Sequence, residues 1–430
     1  MKRTIGILAA VYAVMQFGFP TSTSAQSGAR GPSGHVVTPR SSTYTASDAG
    51  VRAHTNVKLF VPDAGRLTPN ELPPYSGYGF ETPASLACIY GLAPLTPGCN
   101  PNVTVTNPSG GSESIAIVDA YDDPTAAADL ALYSAQFGLP APNLTVVYAG
   151  GSNPGPDPTG GWELEESLDI EMAHAMAPGA HIYLVEANSD YDTDLYPAVQ
   201  IGANLVSCGA TTCPPWAHGR GEISMGWGEP EYSDEALADP YFQHQGVVYF
   251  AAAGDEPGTE YPCVSPNVVC AGGTSTARSI FTGNFLYQVA WQDAAGGFSY
   301  YEPRPFYQNS IRAVVGSTRG VPDISFDGNP NTGAWIYDST AYEYGPGEFE
   351  SGGWFIVGGT SLASPSIAGI VNTAGHFYRS SFEELETIYS DHSGFTDIQN
   401  GTCGPYVTFT ATPGWDFCTG VGTPHGYGGK

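Results

Sequence analysis

The sequence predicts an α/β fold in which helices cover both faces of a mostly parallel sheet. Short apolar runs, typical of buried strands, alternate with segments of helical periodicity between residues 114 and 252. Strands of a parallel sheet are buried on both faces, so they appear as continuous apolar runs. The sequence contains no internal repeats.

The predicted elements follow one another in a regular order. The first strand is Ser114-Ile-Ala-Ile-Val118, and the first helix runs from Ala127 to Phe137 and ends at Gly138. The later elements are a strand at 144–148, a long helix from about Trp162, and strands at 181–186, 222–225 and 247–252. Strands that alternate with helices in this way predict βαβ units.

The composition indicates an acidic chain with few charged groups. Fourteen basic and 42 acidic residues give a formal charge of −28 at pH 7, which repels nucleic acids and anionic membranes and argues against both as partners. A hydrophobic content of 41% excludes wholesale disorder. Because cations are few, protonating the carboxylates leaves only a modest positive charge, so the composition suits an acidic, extracellular setting.

The N-terminal residues have the layout of a secretory signal. Basic residues precede an apolar run from Ile5 to about Phe19, and small residues before Gln26 suit cleavage. We therefore expect a signal peptide at 1–25 and secretion, to the outside of the cell or to the periplasm, with no membrane contact after its removal. A transmembrane anchor is the alternative, which the shortness of the run disfavours.

Export permits disulfides, and the eight cysteines form four close pairs. We expect neighbours to pair, although spacing leaves 105 connectivities open. The pairs are Cys88 with Cys99, Cys208 with Cys213, Cys263 with Cys270, and Cys403 with Cys418. The spacings lack CxxC motifs and histidine partners, which argues against zinc.

Residues 26–78 differ in composition and periodicity from the rest of the chain. They are rich in Ser, Gly, Thr and Pro with weak periodicity, which predicts a short propiece or a disordered arm. The remaining chain, 79–430, is then one large domain.

The most informative local sequence is Gly358-Gly-Thr-Ser-Leu-Ala-Ser-Pro365, which an apolar run follows. Small residues in a tight turn before a helix would expose the Ser361 hydroxyl at the helix N-terminus, where backbone N–H groups can bind an oxyanion. Pro365 is expected in the first turn of that helix. A serine cap without chemistry is the alternative.

Two carboxylates on the long helix are candidate bases. At about 100° per residue, Glu165 and Asp169 fall within or beside the apolar arc, and their i, i+4 spacing lets them touch. Two carboxylates that share a buried site resist double ionisation, so one pKa rises and a proton is shared. Alternatively, one end of the arc is solvated and these are ordinary first-turn acids. His174 projects nearly opposite, so we expect a packing or surface role for it.

Asp255 ends the segment Phe250-Ala-Ala-Ala-Gly-Asp255. A carboxylate near a developing negative charge can donate a hydrogen bond only when it is protonated, so such chemistry would run in acid. The alternative is an aspartate in an ordinary Gly-Asp turn.

Together, these motifs resemble those of the sedolisins, the serine-carboxyl peptidases related to subtilisin-like proteases. The resemblance extends from about Phe80 to the C-terminus. It rests on Glu165-x-x-x-Asp169 with Ala177-Pro-Gly-Ala180, Ser224-Met-Gly-Trp-Gly228, Ala253-Gly-Asp255, Tyr261-Pro-Cys-Val-Ser-Pro266 leading to Gly272-Gly-Thr274, Val321-Pro-Asp-Ile-Ser325, and Gly359-Thr-Ser361.

The resemblance implies a subtilisin-like, doubly wound fold and endopeptidase activity in acid on protein or peptide substrates. It implies that Ser361 is the nucleophile and Asp255 the acid that meets the oxyanion. Glu165 would be the general base and acid, with Asp169 as its orienting partner. We expect the protein to act as a monomer.

The same resemblance implies one structural Ca²⁺ near the C-terminus. Asp397 and Asp416 would supply carboxylates, and water with the backbone carbonyls of Ile398, Thr412 and Gly414 would complete the oxygen-only shell that Ca²⁺ prefers. Thr412 stands where the family commonly has Gly, which matters little for a backbone ligand. The alternative is a pair of aspartates that cap turns.

One departure from the family concerns the prodomain. Sedolisins are commonly made with a long one, whereas only about 50 residues, 26–78, separate the expected signal from the catalytic-like region. Two other functions therefore stay open. One is a non-catalytic, secreted, calcium-stabilised binding module, and the other is a neutral subtilisin-like protease that uses Asp119, His174 and Ser361, which the helix geometry disfavours.

Overall fold

The structure, a computed structural model, describes residues 33–63, 72–74, 79–208, 219–404 and 409–430. The predicted signal peptide, 1–25, lies outside these residues. The α-helices are α1 Pro83–Ile89, α2 Ala126–Phe137, α3 Gly161–Met176, α4 Asp192–Val206, α5 Arg312–Val315, α6 Thr360–Ala374 and α7 Ser381–Ser390. The strands are β1 Gly34–Val37, β2 His54–Thr55, β3 Lys58–Pro62, β4 Ser114–Ala120, β5 Asn143–Tyr148, β6 His181–Ala187, β7 Gly221–Met225, β8 Trp227–Pro230, β9 Val247–Ala252, β10 Glu260–Tyr261, β11 Val269–Arg278, β12 Phe285–Ala290, β13 Gly297–Pro303, β14 Thr318–Val321, β15 Ile324–Asp327, β16 Ala334–Asp338, β17 Tyr342–Gly345, β18 Glu348–Glu350, β19 Gly353–Gly358, β20 Phe395–Thr396, β21 Thr402–Cys403, β22 Phe409–Thr410 and β23 Thr423–Pro424.

A mostly parallel sheet forms the centre of the molecule, as predicted. Its strands lie in the order β12-β11-β9-β7-β4-β6-β5, and β15 also pairs with β11. Every pairing is parallel except that of β11 with the edge strand β12. The predicted strands and helices all occur in this region, with ends that move by one or two residues.

Helices cover both faces of this sheet. On β4, Ile115 and Ile117 pack into the same apolar cluster as α3 and α6, whereas Ala116 and Val118 pack with α4 on the other face. This two-sided burial explains why β4 is an uninterrupted apolar run. The doubly wound α/β prediction is therefore confirmed.

Helix α3 is buried along its whole length. It packs against the sheet on one side and against α6, α2 and β16 on the others. Glu165 and Asp169 thus lie in the interior, as predicted, but for a broader reason than their place beside an apolar arc. His174 is buried as well, and its Nε2 lies 3.0 Å from the Pro140 carbonyl oxygen, so its predicted packing role holds.

The segment 33–63, called the arm below, is built into the folded body. Strand β3 lies between β1 and β19 in a sheet of order β1-β3-β19-β16, and residues 53–60 are all buried. The prediction that residues 26–78 form a disordered arm is therefore wrong for residues 33–63. The short strands of this segment are ordered because they pair with distant parts of the chain. That the segment is a propiece stays a prediction.

Three of the predicted disulfides are formed: Cys88–Cys99, Cys263–Cys270 and Cys403–Cys418. Cys208 is also disulfide-bonded, but its expected partner, Cys213, lies outside the described residues. Within the described ranges, no helix is long and apolar enough to cross a membrane.

Candidate active site

Ser361 is the second residue of α6, directly after the turn that leaves β19. Gly359 makes this turn with φ +105°, and a Cβ there would lie 2.0 Å from the Asn56 carbonyl oxygen and 2.5 Å from Asp255 Oδ2. Only glycine fits both the conformation and the space. The predicted sharp turn before a helix is confirmed, but Ser361 is buried and not exposed, because the arm covers it.

The prediction that Pro365 lies in the first turn of its helix is wrong, because the residue lies farther along, inside the helix. The helix begins earlier because a distant residue caps it: Asp255 Oδ1 accepts hydrogen bonds from the Thr360 N–H (2.7 Å) and Oγ1 (3.0 Å). A proline at this place donates no hydrogen bond to the carbonyl of Ser361, four residues earlier.

Glu165, Asp169 and Ser361 meet at Gly226, between β7 and β8. A Cβ on Gly226 would lie 2.0 Å from Glu165 Oε1 and 3.0 Å from Asp169 Oδ2. The Gly226 carbonyl oxygen accepts a hydrogen bond from Ser361 Oγ at 2.6 Å. One small residue thus lets the two carboxylates and the serine approach one another.

Burial dominates the electrostatics of the carboxylate pair. It raises the pKa values of Glu165 and Asp169 well above those of ordinary carboxyls, and the nearby charge of Asp119 raises both further. The Ser361 hydroxyl, beside Glu165, and the Gly226 N–H, beside Asp169, offset these pKa shifts in part. In the described structure the Ser361 hydroxyl donates to the Gly226 carbonyl, and the oxygens of both carboxyls have no hydrogen-bond partner. Two buried carboxyls that raise each other's pKa retain a proton far more readily than either would in water.

Asp119 is a third carboxylate of this cluster, and the motifs pointed to it only for the subtilisin-like alternative. It ends the apolar run of β4 and is fully buried, which raises its pKa to about 8. The sequence signal that could have found it is an acid at the carboxyl end of a buried parallel strand, where α/β proteins place their sites.

Asp255 lies on the other side of the Ser361 turn. Its Oδ1 is held by Thr360, while Oδ2 is shielded from solvent and has no hydrogen-bond partner among the described residues. Burial raises its pKa to about 7, although the charge of Lys58 and the bonds from Thr360 oppose the shift. In acid this carboxyl is protonated, with one oxygen free to donate.

The arm reaches this site through Asn56. The Ser361 N–H, the predicted oxyanion donor, donates to the Asn56 carbonyl oxygen at 3.1 Å. The Asn56 N–H lies 3.1 Å from the Gly226 carbonyl oxygen and 3.2 Å from Ser361 Oγ. No motif predicted a role for Asn56, because its neighbours show no periodicity.

The alternative triad of Asp119, His174 and Ser361 is not assembled in the described residues. The hydrogen-bond partners of Ser361 Oγ are Gly226 and Asn56. The His174 ring instead faces the Pro140 carbonyl, and burial lowers its pKa.

The C-terminal aspartates flank the turn at 412–414. Asp416 accepts hydrogen bonds from the backbone of Thr412, Cys418 and Thr419. Asp397 Oδ2 accepts from the Gly414 N–H at 3.0 Å and also from Gln399, whereas Asp397 Oδ1 is shielded and lacks a partner in the described structure. A shielded carboxylate oxygen without a partner is the kind of ligand that a hard cation prefers.

Comparisons with known proteins agree with the fold and the motifs. A model of the subtilase family matches residues 145–376. Kumamolisin of Bacillus sp. (strain MN-32) is 29% identical over 361 residues, which cover 74% of this chain and 59% of that protein. Sedolisin of Pseudomonas sp. (strain 101) is 25% identical over 387 residues, which cover 80% of this chain and 59% of that protein. The chain thus spans about three-fifths of the length of these relatives.

A solved structure extends the comparison to the fold. Pseudomonas sedolisin, a serine-carboxyl proteinase complexed with two molecules of pseudo-iodotyrostatin, matches with a TM-score of 0.63 at 23% identity, over 80% of this chain and 95% of that one. The family model covers more than half of the 430 residues, including both the helix that bears Glu165 and the turn that bears Ser361. The chain therefore belongs to the subtilase family, and it is similar to the sedolisins, as its motifs predicted.

Proposed function

We propose that the protein is a secreted, acid-acting serine-carboxyl endopeptidase that hydrolyses peptide bonds through an acyl-enzyme on Ser361. The observation that carries this proposal is the meeting of Ser361, Glu165 and Asp169 around Gly226. The names of the similar relatives, kumamolisin and sedolisin, support a peptidase, and the disulfides are consistent with secretion.

Ser361 Oγ attacks the peptide carbonyl carbon in this mechanism. Its hydroxyl hydrogen is directed at the Gly226 carbonyl in the present structure, and a rotation of that hydroxyl brings the hydrogen to Glu165. Glu165, oriented by Asp169, takes the proton and later gives it to the leaving amine. Water then hydrolyses the ester with the same group as base.

The oxyanion forms between two donors. The Ser361 N–H already holds a carbonyl oxygen at 3.1 Å, and a carboxyl proton on Asp255 Oδ2 would supply the second hydrogen bond. An ionised Asp255 would repel the oxyanion instead. Since its pKa is about 7, this donor is complete only in acid.

Digestion of an unfolded protein between about pH 2 and 8 tests the proposal. Activity should peak in acid and vanish in Ser361→Ala. Ser366→Ala is a matched control on the same helix, since Ser366 Oγ bonds only the Leu362 carbonyl in the described structure. An optimum above neutrality would revive the neutral subtilisin-like mechanism, and the absence of any digestion would favour the non-catalytic binding module.

We also propose that Asp397 and Asp416 bind one structural Ca²⁺, with carbonyls of Ile398, Thr412 and Gly414. The unpartnered Asp397 Oδ1 supports this. The ion would add to the hydrogen bond from the Gly414 N–H to Asp397, which joins the two segments at this turn in the described structure.

A further inference from the structure

Thr360 binds one oxygen of the Asp255 carboxyl and leaves the other free. Its N–H donates to Asp255 Oδ1 at 2.7 Å, and its hydroxyl donates to the same oxygen at 3.0 Å. Asp255 Oδ2 is shielded from solvent and has no hydrogen-bond partner in the part of the chain that the structure describes. The two oxygens of this carboxyl therefore differ in their surroundings.

The Gly254 N–H fixes the direction in which the Thr360 hydroxyl donates. It donates to Thr360 Oγ1 at 2.9 Å, and a backbone N–H can only donate. The hydroxyl hydrogen must then point elsewhere, and the acceptor within reach among the described residues is Asp255 Oδ1. Thr360 is fully buried and Asp255 is 4% exposed, so water does not compete for these bonds.

Two donors on Oδ1 decide which oxygen of a protonated Asp255 carries the hydrogen. A proton on Oδ1 would use one of its lone pairs, and one Thr360 donor would be left unpaired inside the protein, which is costly. A proton on Oδ2 leaves both bonds intact, because the remaining carbonyl oxygen accepts two hydrogen bonds. The proton is therefore directed to Oδ2.

Oδ2 is also the oxygen that faces the nucleophile turn. A Cβ on Gly359 would lie 2.5 Å from Asp255 Oδ2 and 2.0 Å from the Asn56 carbonyl oxygen. The Ser361 N–H donates to that carbonyl oxygen at 3.1 Å. A hydrogen on Oδ2 therefore lies on the side of the proposed oxyanion, whereas a hydrogen on Oδ1 would face Thr360.

We propose that Thr360 is a positioning residue for peptide hydrolysis, which holds the Asp255 proton on Oδ2 and supports that oxygen while it donates to the oxyanion. This inference rests on the proposed function, in which Asp255 is the oxyanion acid. As the hydrogen bond to the oxyanion strengthens, negative charge builds up on the Asp255 carboxyl, and two hydrogen bonds to Oδ1 stabilise that charge. Thr360 therefore acts through Asp255 and not on the substrate itself.

The same two bonds affect the pH at which the donor is lost. Hydrogen bonds from Thr360 lower the pKa of Asp255, as does the charge of Lys58, whereas burial, the largest effect, and the charge of Glu260 raise it. Glu165 also interacts electrostatically with Asp255. Removing the Thr360 hydroxyl leaves these neighbours in place, so the pKa of Asp255 should rise.

The test compares Thr360→Val with wild type by kcat and KM for a chromogenic peptide at a series of pH values. The substitution removes the hydroxyl and keeps the side-chain shape and the backbone N–H. At about pH 4 we expect kcat to fall about three- to tenfold with KM little changed, the effect of losing one hydrogen bond. The pH at which kcat declines should move upwards, which a purely structural loss would not cause.

Three further variants serve as controls. Thr360→Ser keeps the hydroxyl and should retain most of the activity. Thr373→Val is the matched control on the same helix, since Thr373 Oγ1 donates to the Met176 carbonyl oxygen, and it should leave kcat unchanged. Thermal melting checks folding, because the Gly254 N–H loses its acceptor in Thr360→Val. If the valine variant does not fold, Thr360→Ala removes the same hydroxyl and takes its place.

A double-mutant cycle with Asp255→Asn separates positioning from a structural role. The NH₂ group of asparagine has no lone pair to offer the Thr360 N–H, so its donor stays on the Oδ2 side without help from the hydroxyl. We therefore expect Thr360→Val to change kcat by less than about twofold in the Asp255→Asn protein. Equal fold losses in the two backgrounds, or a Thr360→Val protein with wild-type kcat and pH profile, would overturn this inference alone. Wild-type rates in Asp255→Ala, or no peptide cleavage by the wild type, would overturn the proposed function and the inference with it.

Discussion

Substituting Asp255 distinguishes an oxyanion donor from an aspartate that only holds a turn. Asp255→Ala removes the carboxyl whose Oδ2 has no partner among the described residues and whose Oδ1 holds Thr360. Loss of one oxyanion donor costs about 10²–10³-fold in kcat, or about 2.7–4 kcal/mol. The alanine variant also leaves the Thr360 N–H unpaired, so a loss of about 1–3 kcal/mol in unfolding free energy should accompany it.

Asp255→Asn has a different signature. Its amide oxygen can still accept from Thr360, while its NH₂ group lies where Oδ2 was and donates at every pH. We therefore expect more activity than in Asp255→Ala. With a pKa of about 7, wild-type Asp255 is about half protonated at pH 7 and about one-tenth protonated at pH 8, so the ratio of asparagine-variant to wild-type activity should rise about fivefold over that interval.

Taking this ratio removes from the comparison the effects that the two proteins share. The burial of Glu165 and Asp169 and their mutual repulsion are common to both proteins, whereas the charge of Asp255 raises the pKa of Glu165 in the wild type alone. The assay is kcat for a chromogenic peptide at a series of pH values, with thermal melting as the check on folding and Asp234→Asn, an exposed aspartate, as the control. Wild-type rates in both Asp255 variants, or a ratio that stays flat with pH, would refute the reasoning.

Three further predictions concern stability. Burial raises the pKa values of several carboxyls, for example that of Asp119 to about 8, whereas the value in the unfolded chain is about 4. The folded state therefore binds more protons than the unfolded state. The stability that these protonated carboxyls contribute is present in acid and is lost as the pH rises from about 4 to 8. We expect a melting temperature several degrees higher at about pH 4 than at pH 8 in EDTA, and the reverse order would contradict this. Calcium should raise the melting temperature near neutral pH and do so less in acid, where protons compete with the ion for carboxylate ligands. No response in wild type, or an unchanged response in Asp416→Ala, would count against the site. Arg319→Met leaves Asp323 buried without its bidentate partner, which should lower the urea-derived unfolding free energy by about 3–5 kcal/mol, and a loss below about 1 kcal/mol would be inconsistent with that pairing.

Local sequence predicted the central sheet well because burial there acts on each strand separately. Residues of β4 alternate between two apolar clusters, so both sets are apolar and the run is continuous. The crossover helices have clear ends, such as Gly138 at φ +68°, which closes α2. These signals need no knowledge of which strands become neighbours.

The candidate site residues were accessible as motifs, but their meeting point was not. Glu165 and Asp169 lie on one helix, whereas Gly226 and Ser361 come from other parts of the chain, and tertiary packing alone brings them within contact. The start of α6 is similar. Its first N–H bonds Asp255, 105 residues away, so a capping rule based on neighbouring residues placed Pro365 wrongly.

The arm was missed for a related reason. Strand β2 has two residues, too few for any periodicity, and its partner β8 lies more than 170 residues along the chain. Asn56 and Lys58 are polar residues that are buried in the fold, where they bond distant partners, Glu260 and the Asp255 carbonyl. A composition rich in Ser, Gly and Thr predicts weak order when it is judged alone, and it cannot report partners of this kind.

Lys58 links the arm to the chemistry of the site. Its ammonium group bonds the Asp255 carbonyl oxygen, and its charge opposes the rise that burial causes in the pKa of the Asp255 carboxyl. The Lys58 charge therefore favours the ionised form of Asp255, which cannot donate to an oxyanion, whereas burial, the larger effect, favours the protonated form. Removal of the arm would take away that charge but would also expose Asp255 to water, and because burial is the largest cause of its raised pKa, the two effects oppose each other.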